Sequence, residues 1–481
     1  MTLARKSAGR LFSVLVAGAL VVGTPVAGHA ASPYPSDGTA PDLVPLLSGY
    51  SAIWKADAGN TLHGTVLNAT TLQRDDALAV WINRHATAAQ QLLALQDAQY
   101  NTTGAQYDQS ITVSTGLGSK LGPLYVQGSE TGALPLTVAL VNSETGTSGA
   151  YVGTTAAKAY FSHPRPYLPT DPGSAPKAGD DPVACAPARV NASSQAAIRT
   201  GQPWADAKGN LLIERVAPVT DTTHRFSAND VLLDAGYGTA GLCTGGSFPS
   251  GHATTAYQAG ITLATLLPEL APELLTRASE AANDRIVLGV HYPLDVIGGR
   301  IDGEAAIAER WSDAKYRTEV LLPARHELVK YLQKATGHSL AYAIAHEKAY
   351  ASNPYAGKKV PGGTAQVVVN RKTAVKVYTE RLTYGFAAIG AKHLAPSVPA
   401  GAQNLLRTVF PTLTAKQRTS VLAQTEIASG FPLDGSRTAD GSWQRLNLAA
   451  ATSATVLLGT HGSVRVVSVG GRAHVITHRH H

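Results

Sequence analysis

Three apolar, helix-forming segments follow one another in the second half of the chain, and they restrict its fold more than any other feature. The first runs from Gly251 to Leu267, the second from Glu269 to Val290, and the third from Pro293 to about Lys334. Pro268 and Pro293 mark helix boundaries, because a proline ring removes an N–H donor and clashes with the preceding turn. Consecutive helices with apolar faces predict a mainly α fold in which helices pack against one another.

Further helices and one small sheet are predicted outside these segments. Apolar residues recur at intervals of three and four from Asp75 to Tyr100, which predicts one amphipathic helix. Helical patterns also occur near residues 130–141 and 149–162, and a capped helix is predicted over Ala415–Ala428. Near the C-terminus, valine-rich runs flank Gly470-Gly471, which predicts a small β-hairpin.

The first thirty residues have the pattern of a signal peptide. Three basic residues precede an apolar run of twelve residues, Leu11–Val22, which is too short to span a bilayer. The small residues Gly28 and Ala30 favour cleavage after Ala30. We therefore predict a signal peptide over residues 1–30 and a secreted, extracellular protein.

Composition indicates a packed core and excludes two kinds of partner. Apolar residues make up 44% of the chain and charged residues 15%, which is typical of a globular protein. Loss of the three basic residues of the signal peptide lowers the formal net charge from +7 to +4, and no block of lysine and arginine indicates nucleic acid or an anionic membrane. After residue 30 no uninterrupted apolar run reaches eighteen residues, so no transmembrane segment is predicted in the mature chain. The sequence does not indicate an oligomeric state.

Loop-forming residues divide the remainder of the chain. Proline, glycine and aspartate are dense over residues 167–247, which predicts a long loop-rich insertion. A second group of prolines and glycines, between 354 and 363, marks a linker. We therefore predict a helical domain over residues 31–350, which contains the insertion, and a C-terminal extension of unknown role over residues 351–481.

Three short segments concentrate the side chains that phosphoryl transfer requires. They are Lys158–Pro166 (KAYFSHPRP), Pro249–His252 (PSGH) and Arg285–Asp295 (RIVLGVHYPLD). A transferred phosphoryl group spreads negative charge over its oxygens, so its site needs fixed cations, N–H donors, a nucleophile and an acid for the leaving oxygen. The sequence contains no P-loop, EF-hand or HExxH motif, so the chemistry falls to side-chain cations and histidines, and no metal is predicted.

The first two segments contain predicted phosphate-binding groups. Lys158 and Arg165 are seven residues apart, so on one helix they would face the same side, and Arg165 offers a planar fork for phosphate. Ser250 and Gly251 open a predicted helix, where backbone N–H groups point toward an anion. His252 follows directly and is placed to give a proton.

The third segment contains the predicted nucleophile. Asp295 lies four residues after His291 and can accept a hydrogen bond from its Nδ1–H, which leaves Nε2 unprotonated and aimed at phosphorus. Taken singly, each residue has a structural explanation: Arg285 as an ion-pair partner of Asp284, His291 as a core histidine, Asp295 as a charge at a helix terminus, and Pro249–Gly251 as a turn. Together, at these spacings, they favour a catalytic site.

The three segments resemble the signature of the superfamily that unites bacterial class A acid phosphatases, type-2 phosphatidic acid phosphatases and vanadium haloperoxidases. The phrase GVHYPLDVIGG is similar to its third motif nearly letter for letter. The resemblance implies a helix-bundle core, a phosphohistidine on His291, His252 as general acid and Asp295 as the residue that steadies His291. It also implies that the phosphate is bound by Lys158, Arg165, Ser250, Gly251, His252 and Arg285. The stretch SGFPLDG…SWQRLNLAAA resembles the tails of secreted actinobacterial relatives.

We therefore predict a secreted, metal-independent phosphatase that acts on small phosphate monoesters and needs no cofactor. Two alternatives stay open: a vanadium-dependent haloperoxidase that binds vanadate in the same pocket, and an inactive relative that only binds. The Tyr-Pro-x-Asp sequence after His291 is more similar to the phosphatase branch. The chain departs from the family at Asp284, where serine is usual, which would either weaken the charge of Arg285 or hold that side chain in place. The segment between Pro166 and Pro249 is also longer than is usual in the family, and this extra length affects the expected substrate preference but not the expected reaction.

The chain has two cysteines, Cys185 and Cys243. In an exported protein they are expected to form one disulfide, and two free buried thiols are the alternative. A bridge would stabilise the protein by about 3–4 kcal/mol in the chain-entropy description. It would also tie the insertion to the segment before Pro249, so we expect the insertion to cover the pocket and to select substrates.

Overall fold

Helices dominate the structure, a computed structural model that describes residues 34–59, 61–102, 106–142 and 151–477. About 48% of the residues are helical and 7% lie in strands, so the predicted mainly α fold is confirmed. The predicted signal peptide, residues 1–30, lies outside the described residues. No helix in the described ranges combines the length and the apolar composition that crossing a bilayer requires.

The α-helices differ widely in length, and the longest occupy the middle of the chain. In order they are α1 (Leu43–Leu46), α2 (Ala69–His85), α3 (Ala88–Gln99), α4 (Ser110–Val113), α5 (Leu121–Glu130), α6 (Pro135–Val141), α7 (Thr155–Phe161), α8 (Ala196–Arg199), α9 (Ala240–Thr244), α10 (Gly251–Leu266), α11 (Ala271–Val287), α12 (Pro293–Arg310), α13 (Ala314–Tyr316), α14 (Leu322–Thr336), α15 (Leu340–Ala345), α16 (Arg371–Arg381), α17 (Ala415–Thr425) and α18 (Leu448–Ala451). A π-helical turn, Arg317–Leu321, leads into α14.

Helix α11 lies at the centre of the fold. Every residue from Ala271 to Val287 is buried. The helix packs against α10, α3 and α16, and α10 packs along α12. These packed helices form the predicted helix-bundle core, and α12 begins at Pro293, where the sequence predicted a boundary.

Glycines allow α12 to lie unusually close to α10. A methyl group on Gly299 would lie 2.5 Å from the carbonyl oxygen of Ser250, and one on Gly303 would lie 2.9 Å from that of Thr254. Only glycine fits such contacts with backbone atoms. Because His291 lies just before α12 and Ser250 just before α10, this contact fixes how near the second and third motifs lie to each other.

Two predicted helices are divided in the structure. The segment 75–100 contains the end of α2 and the whole of α3. The helices are separate because the backbone is extended at Ala86 and the Thr87 side chain caps the N-terminus of α3. The segment 293–334 forms α12, α13 and most of α14, and the Asp313 side chain caps α13. The apolar periodicity continues across both breaks, so the pattern alone predicted single helices. The caps, which are local hydrogen bonds, decide where the helices end.

Strands are few and short in the described part of the chain. They are β1 (Trp54–Ala56), β2 (Gly64–Val66), β3 (Asn101–Thr102), β4 (Gln106–Tyr107), β5 (Val219–Asp221), β6 (Val231–Leu233), β7 (Thr455–Leu458), β8 (Val464–Ser468) and β9 (His474–Thr477). The first six form three antiparallel pairs in sequence order. The last three form one sheet in the order β8-β7-β9.

The small C-terminal hairpin is confirmed, but it is formed by β7 and β8, and not by β8 and β9 as the sequence predicted. The Gly470-Gly471 pair predicted that β8 and β9 would pair with each other. Instead β7 lies between them, antiparallel to β8 and parallel to β9. The strand with the fully buried Val456 takes the centre of the sheet, and the mostly exposed strands form its edges.

The insertion and the C-terminal segment both pack onto the helical core. The predicted disulfide is confirmed, because Cys185 and Cys243 are bonded with their Cα atoms 5.2 Å apart. In the C-terminal segment, α16 packs against α11. Arg300 on α12 donates hydrogen bonds to the carbonyl oxygens of Trp443 and Gln444. The main hydrophobic cluster contains residues on both sides of residue 350, from Leu43 to Val456, and a small second cluster contains Tyr350, Val368, Ala374 and Val377. The division near residue 350 stays a prediction.

Candidate active site

The three motif segments meet around His291. Arg165 of the first segment donates a hydrogen bond from Nη1 to His291 Nε2 at 3.1 Å. Ser250 of the second segment donates its N–H to the carbonyl oxygen of Asp295 at 3.0 Å. The fold thus gathers residues that are far apart in the sequence.

Asp295 orients the buried His291 side chain. Nδ1 of His291 lies 3.0 Å from Asp295 Oδ2, which also accepts a hydrogen bond from Tyr292 N–H at 2.9 Å. Asp295 is the third residue of α12, so its carboxylate turns back to the N-terminus of its own helix. Because a carboxylate only accepts hydrogen bonds, Nδ1 carries the proton and Nε2 presents a lone pair.

Backbone carbonyl groups hold Arg165 against that lone pair. Its Nη1 donates to Val290 O at 2.9 Å, and its Nε donates to Gly245 O at 3.2 Å. Its Nη2 donates to Gly246 O at 3.4 Å. With its donors fixed in this way, the guanidinium group lies where it can contact the oxygens of a phosphoryl group placed at His291 Nε2.

Lys158 reaches the same loop from α7. Its Nζ donates to the carbonyl oxygens of Gly246 at 2.9 Å and Ser247 at 3.1 Å. The prediction that Lys158 and Arg165 share a helix is wrong, because α7 ends at Phe161 and the next residue turns away in a left-handed conformation. The two cations lie together because one loop binds both of them.

Ser250 and Gly251 mark the start of α10. The Ser250 side chain accepts a hydrogen bond from Ala253 N–H at 3.3 Å and so caps the helix. The N–H of Ser250 is engaged by Asp295, so only its hydroxyl proton is left for a phosphate oxygen. Gly251 is the first helical residue, and its N–H has no acceptor within the helix. Of the two predicted amide donors, Gly251 has the geometry of an anion-binding helix terminus.

His252 and Arg285 complete the group of residues around His291. His252 is half-buried, and its Nε2 lies 3.4 Å from Ala98 O at the end of α3. Arg285 is buried near the end of α11. Burial, and next the charge of Arg285, hold the pKa of His252 well below its usual value. Burial, and next the charge of Arg165, do the same to the pKa of His291.

The site carries more positive than negative charge. Burial, and next the charge of Arg165, hold the pKa of Lys158 well below its usual value, and Arg285 acts in the same direction. Burial raises the pKa of Asp295 above that of an ordinary aspartate. Lys158, Arg165 and Arg285 repel one another, and Asp295 balances only one of the three charges. A bound phosphate dianion would reduce this repulsion and favour the charged forms of all three side chains.

The loop Gly245–Ser247 belongs to the site, although the sequence analysis did not predict it. Its carbonyl oxygens bind both Lys158 and Arg165. The Ser247 hydroxyl donates to Asp295 Oδ1 at 3.2 Å. The loop follows the disulfide-bonded Cys243, so the bridge anchors it. Its place directly before the PSGH segment was the one available signal, because backbone acceptors leave no residue pattern.

Asp284, which replaces the usual serine of the family, contacts α3. Its Oδ1 accepts a hydrogen bond from Gln90. Burial, and next the nearby Asp97 carboxylate, hold the pKa of Asp284 well above its usual value. Asp97 is paired with Arg277 at 2.5 Å. Asp284 is therefore part of a buried carboxyl cluster that joins α3 to α11.

We expect Asp284→Asn to make the stability of the protein less sensitive to rising pH. The pKa of Asp284 is higher in the folded protein than in the unfolded chain, where it is about 3.9. Its contribution to the free energy of unfolding is therefore present below about pH 4 and is lost as pH rises toward the folded pKa, by about 1.4 kcal/mol for each pKa unit between the two states. Asparagine keeps the acceptor for Gln90 and carries no charge, so this loss disappears.

Thermal unfolding at pH 4 and pH 8 measures the effect of Asp284→Asn. The difference in Tm between the two pH values should be smaller in the variant than in the native protein. Asp440→Asn is the matched control, because Asp440 is exposed, and its difference in Tm should equal that of the native protein. If the difference in Tm between pH 4 and pH 8 is the same in Asp284→Asn as in the native protein, ionisation of Asp284 does not destabilise the folded protein, and the prediction is wrong.

Comparison with known proteins identifies the class of the domain that holds this site. Residues 134–319 match the family model described as the PAP2 superfamily, and this range contains all three motif segments. The chain therefore carries a PAP2 superfamily domain, and the superfamily predicted from the motifs is confirmed.

Three curated proteins show the similarity at closer range. An acid phosphatase of Zymomonas mobilis subsp. mobilis is 40% identical over 90 residues, which are 19% of this chain and 34% of that protein. A non-specific acid phosphatase of Providencia stuartii is 30% identical over 89 residues, 18% of this chain and 36% of that protein. A decaprenylphosphoryl-5-phosphoribose phosphatase of Mycolicibacterium smegmatis is 49% identical over 53 residues, 11% of this chain and 28% of that protein. The chain thus spans about a third of the length of the curated relatives it matches.

Proposed function

We propose that this protein is a secreted phosphatase that hydrolyses phosphate monoesters through a phosphohistidine on His291. The observation that carries the proposal is the orientation of His291, whose Nδ1 bonds Asp295 while its Nε2 faces the Arg165 guanidinium. This arrangement offers a nucleophilic lone pair beside a fixed cation, as in-line attack on a phosphoryl group requires. The relatives named as acid phosphatases support the same reaction.

In the first step, Nε2 of His291 attacks phosphorus. A P–N bond forms, the P–O bond to the ester oxygen breaks, and His252 gives its proton to the leaving oxygen. Lys158, Arg165 and Arg285 neutralise the charge on the other phosphoryl oxygens. Asp295 stabilises the positive charge that develops on the imidazole ring of His291.

In the second step, water replaces the histidine. His252, now neutral, takes a proton from the water molecule, whose oxygen attacks phosphorus as the P–N bond breaks. Inorganic phosphate leaves and His291 regains its lone pair. The site needs no other group for these steps, so we propose that the enzyme works without a metal or another cofactor.

The protonation state of His252 fits its proposed action once phosphate is bound. In the site as it stands, burial and Arg285 favour the neutral imidazole. A phosphate dianion beside it adds negative charge, which favours the protonated form. Substrate binding therefore raises the pKa of His252, so that His252 carries the proton that the leaving oxygen needs.

We also propose export and a substrate class. The pattern of residues 1–30 and the disulfide between Cys185 and Cys243 both fit an oxidising compartment outside the cytoplasm. The substrates proposed are small-molecule phosphate esters. The insertion, which contributes the carbonyl groups that hold Arg165 and Lys158, is proposed to cover the site and to influence which esters enter.

Hydrolysis of p-nitrophenyl phosphate in excess chelator tests the reaction. We expect turnover that survives chelation, is inhibited by orthovanadate in a separate chelator-free assay, and is absent from the His291→Ala protein. A parallel assay contains vanadate, bromide and peroxide without phosphate ester. Halogenation without ester hydrolysis would instead establish the haloperoxidase, and phosphate binding without either reaction would establish a binding protein.

A further inference from the structure

A third histidine, which the reaction steps above do not use, lies on the other side of Asp295 from His291. His163 lies inside the first motif, between Lys158 and Arg165, and it is 1% exposed. Its Nδ1 is 3.0 Å from the Ser247 hydroxyl, and that hydroxyl is 3.2 Å from Asp295 Oδ1. His163 is thus two hydrogen bonds away from the carboxylate that orients the nucleophile.

The other side of His163 is tied to a buried ion pair. Its Nε2 contacts the side-chain amide of Gln195, and the oxygen of that amide accepts a hydrogen bond from Arg199. Arg199 pairs with both carboxylate oxygens of Asp76, at 3.0 and 2.9 Å. It also donates to the Tyr292 hydroxyl at 2.9 Å, and Tyr292 directly follows His291.

Chemistry fixes the direction of every hydrogen bond in this chain of contacts. Arginine only donates, so the oxygen of Gln195 is occupied and its NH₂ donates to Nε2 of His163. His163 is then the Nδ1–H tautomer and donates to Ser247. The single proton of the Ser247 hydroxyl goes to Asp295, whose carboxylate only accepts. Burial, and next the charge of Arg199, lower the pKa of His163, in agreement with a neutral ring.

Aromatic packing keeps the His163 ring in one orientation. The rings of Trp54 and Tyr292 meet it edge to face, with centroids 4.9 and 5.2 Å away. Tyr50 packs against it in the same manner at 5.8 Å. The ring cannot turn without displacing large buried side chains, so its two nitrogens keep their partners.

We propose that His163 is a positioning residue which, through Ser247, holds Asp295 in the orientation that keeps the proton on Nδ1 of His291. This inference rests on the proposed function of His291 as nucleophile. Without the Ser247 hydrogen bond, one oxygen of Asp295 loses its partner and the carboxylate can rotate away from His291. In part of the molecules the His291 ring would then turn away from Arg165 and carry its proton on Nε2, and those molecules could not attack phosphorus.

Variants of the two residues separate the hydrogen bond from packing. Ser247→Ala removes the hydrogen bond to Asp295, and His163→Leu removes the N–H donor that orients the Ser247 hydroxyl toward Asp295. His163→Asn keeps an N–H near the position of Nδ1. We expect kcat for p-nitrophenyl phosphate to fall roughly 10- to 100-fold in the first two, the usual loss when an outer hydrogen-bond partner is removed, with KM little changed. His163→Asn should restore most of the loss. His163→Leu combined with Ser247→Ala should be no slower than Ser247→Ala, because both act through one link.

His85→Leu is the matched control, since His85 is a partly buried histidine that stacks on Trp81 at 4.4 Å. It should leave kcat unchanged. Wild-type kcat in both Ser247→Ala and His163→Leu would overturn the proposal. Equal losses in His163→Leu and His163→Asn would also overturn it, because they would point to packing instead of the donated hydrogen bond.

A second measurement does not depend on turnover. In ¹⁵N-histidine NMR spectra, the signal of His291 is assigned by its absence from His291→Asn. We expect the Nδ1–H tautomer in the native protein and in His163→Asn, and a mixture of both tautomers in Ser247→Ala and His163→Leu. An unchanged tautomer in those two variants would overturn the positioning role even in an active phosphatase. The expected mixture in a protein without phosphatase activity would instead support the positioning role and refute the proposed function.

Discussion

His291→Ala is expected to lower kcat by roughly 10⁴- to 10⁶-fold, the range observed when an attacking residue is removed from a hydrolase that works through a covalent intermediate. Its Nε2 is the atom that forms the P–N bond in the proposed reaction. His252, whose Nε2 lies 3.4 Å from Ala98 O, is proposed to transfer protons and does not replace the nucleophile. The residual rate would come from substrate binding and from the cations alone.

The measurement combines steady-state kinetics with trapping of the intermediate. The native enzyme, mixed with labelled phosphate ester and denatured in base, should retain label on His291, because phosphohistidine is stable in base and labile in acid. His291→Ala should retain none. His326→Ala is the control, because His326 is exposed on α14, and it should behave as the native enzyme does.

Phosphate binding should survive the substitution. Lys158 and Arg165 should keep their positions, since hydrogen bonds to the carbonyl oxygens of the Gly245–Ser247 loop hold both side chains independently of His291. The dissociation constant for inorganic phosphate, measured from the rise in Tm that phosphate causes, should change by no more than a few-fold. A variant that loses turnover and phosphate binding together would indicate a collapsed site and would leave no evidence for a nucleophile.

How much of this site could be predicted depended on whether the signal was local in sequence. The pairing of His291 with Asp295 needs only a turn that leads into a helix at Pro293, and both features can be read from neighbouring residues. The start of α10 at Ser250 and Gly251 is equally local. Local patterns therefore predicted the contact between His291 and Asp295 and the helix that begins at Gly251, and the structure contains both. The role of His291 as nucleophile stays a prediction.

Contacts between distant segments were beyond such patterns. The spacing of Lys158 and Arg165 fits one helix, yet α7 ends between them, and a loop about 80 residues later brings the two cations together. That loop binds through carbonyl oxygens, which every residue has, so no residue type reveals it. The same holds for the glycines of α12, whose necessity appears only when Gly299 is seen against the Ser250 carbonyl.

His252→Ala is expected to cause the second largest loss, and the loss should depend on the leaving group. General acid catalysis contributes about 10²- to 10⁴-fold when the leaving oxygen needs a proton. An alkyl phosphate, whose alkoxide is a poor leaving group, should lose that whole factor in the first step. p-Nitrophenyl phosphate, whose phenolate leaves without a proton, should form the phosphohistidine at nearly the native rate.

The second step separates this role from a merely structural one. Because His252 also takes the proton from water, its loss slows hydrolysis of the phosphohistidine for every substrate. With p-nitrophenyl phosphate the variant should therefore release one equivalent of nitrophenolate in a burst, which the native enzyme does not show. It should then accumulate much more label on His291 than the native enzyme retains. His338→Ala, an exposed histidine, should show native kinetics. Equal losses for alkyl and nitrophenyl esters, with no burst, would mean that His252 helps to bind phosphate and transfers no proton, and the acid would then have to be sought among the other groups that face His291.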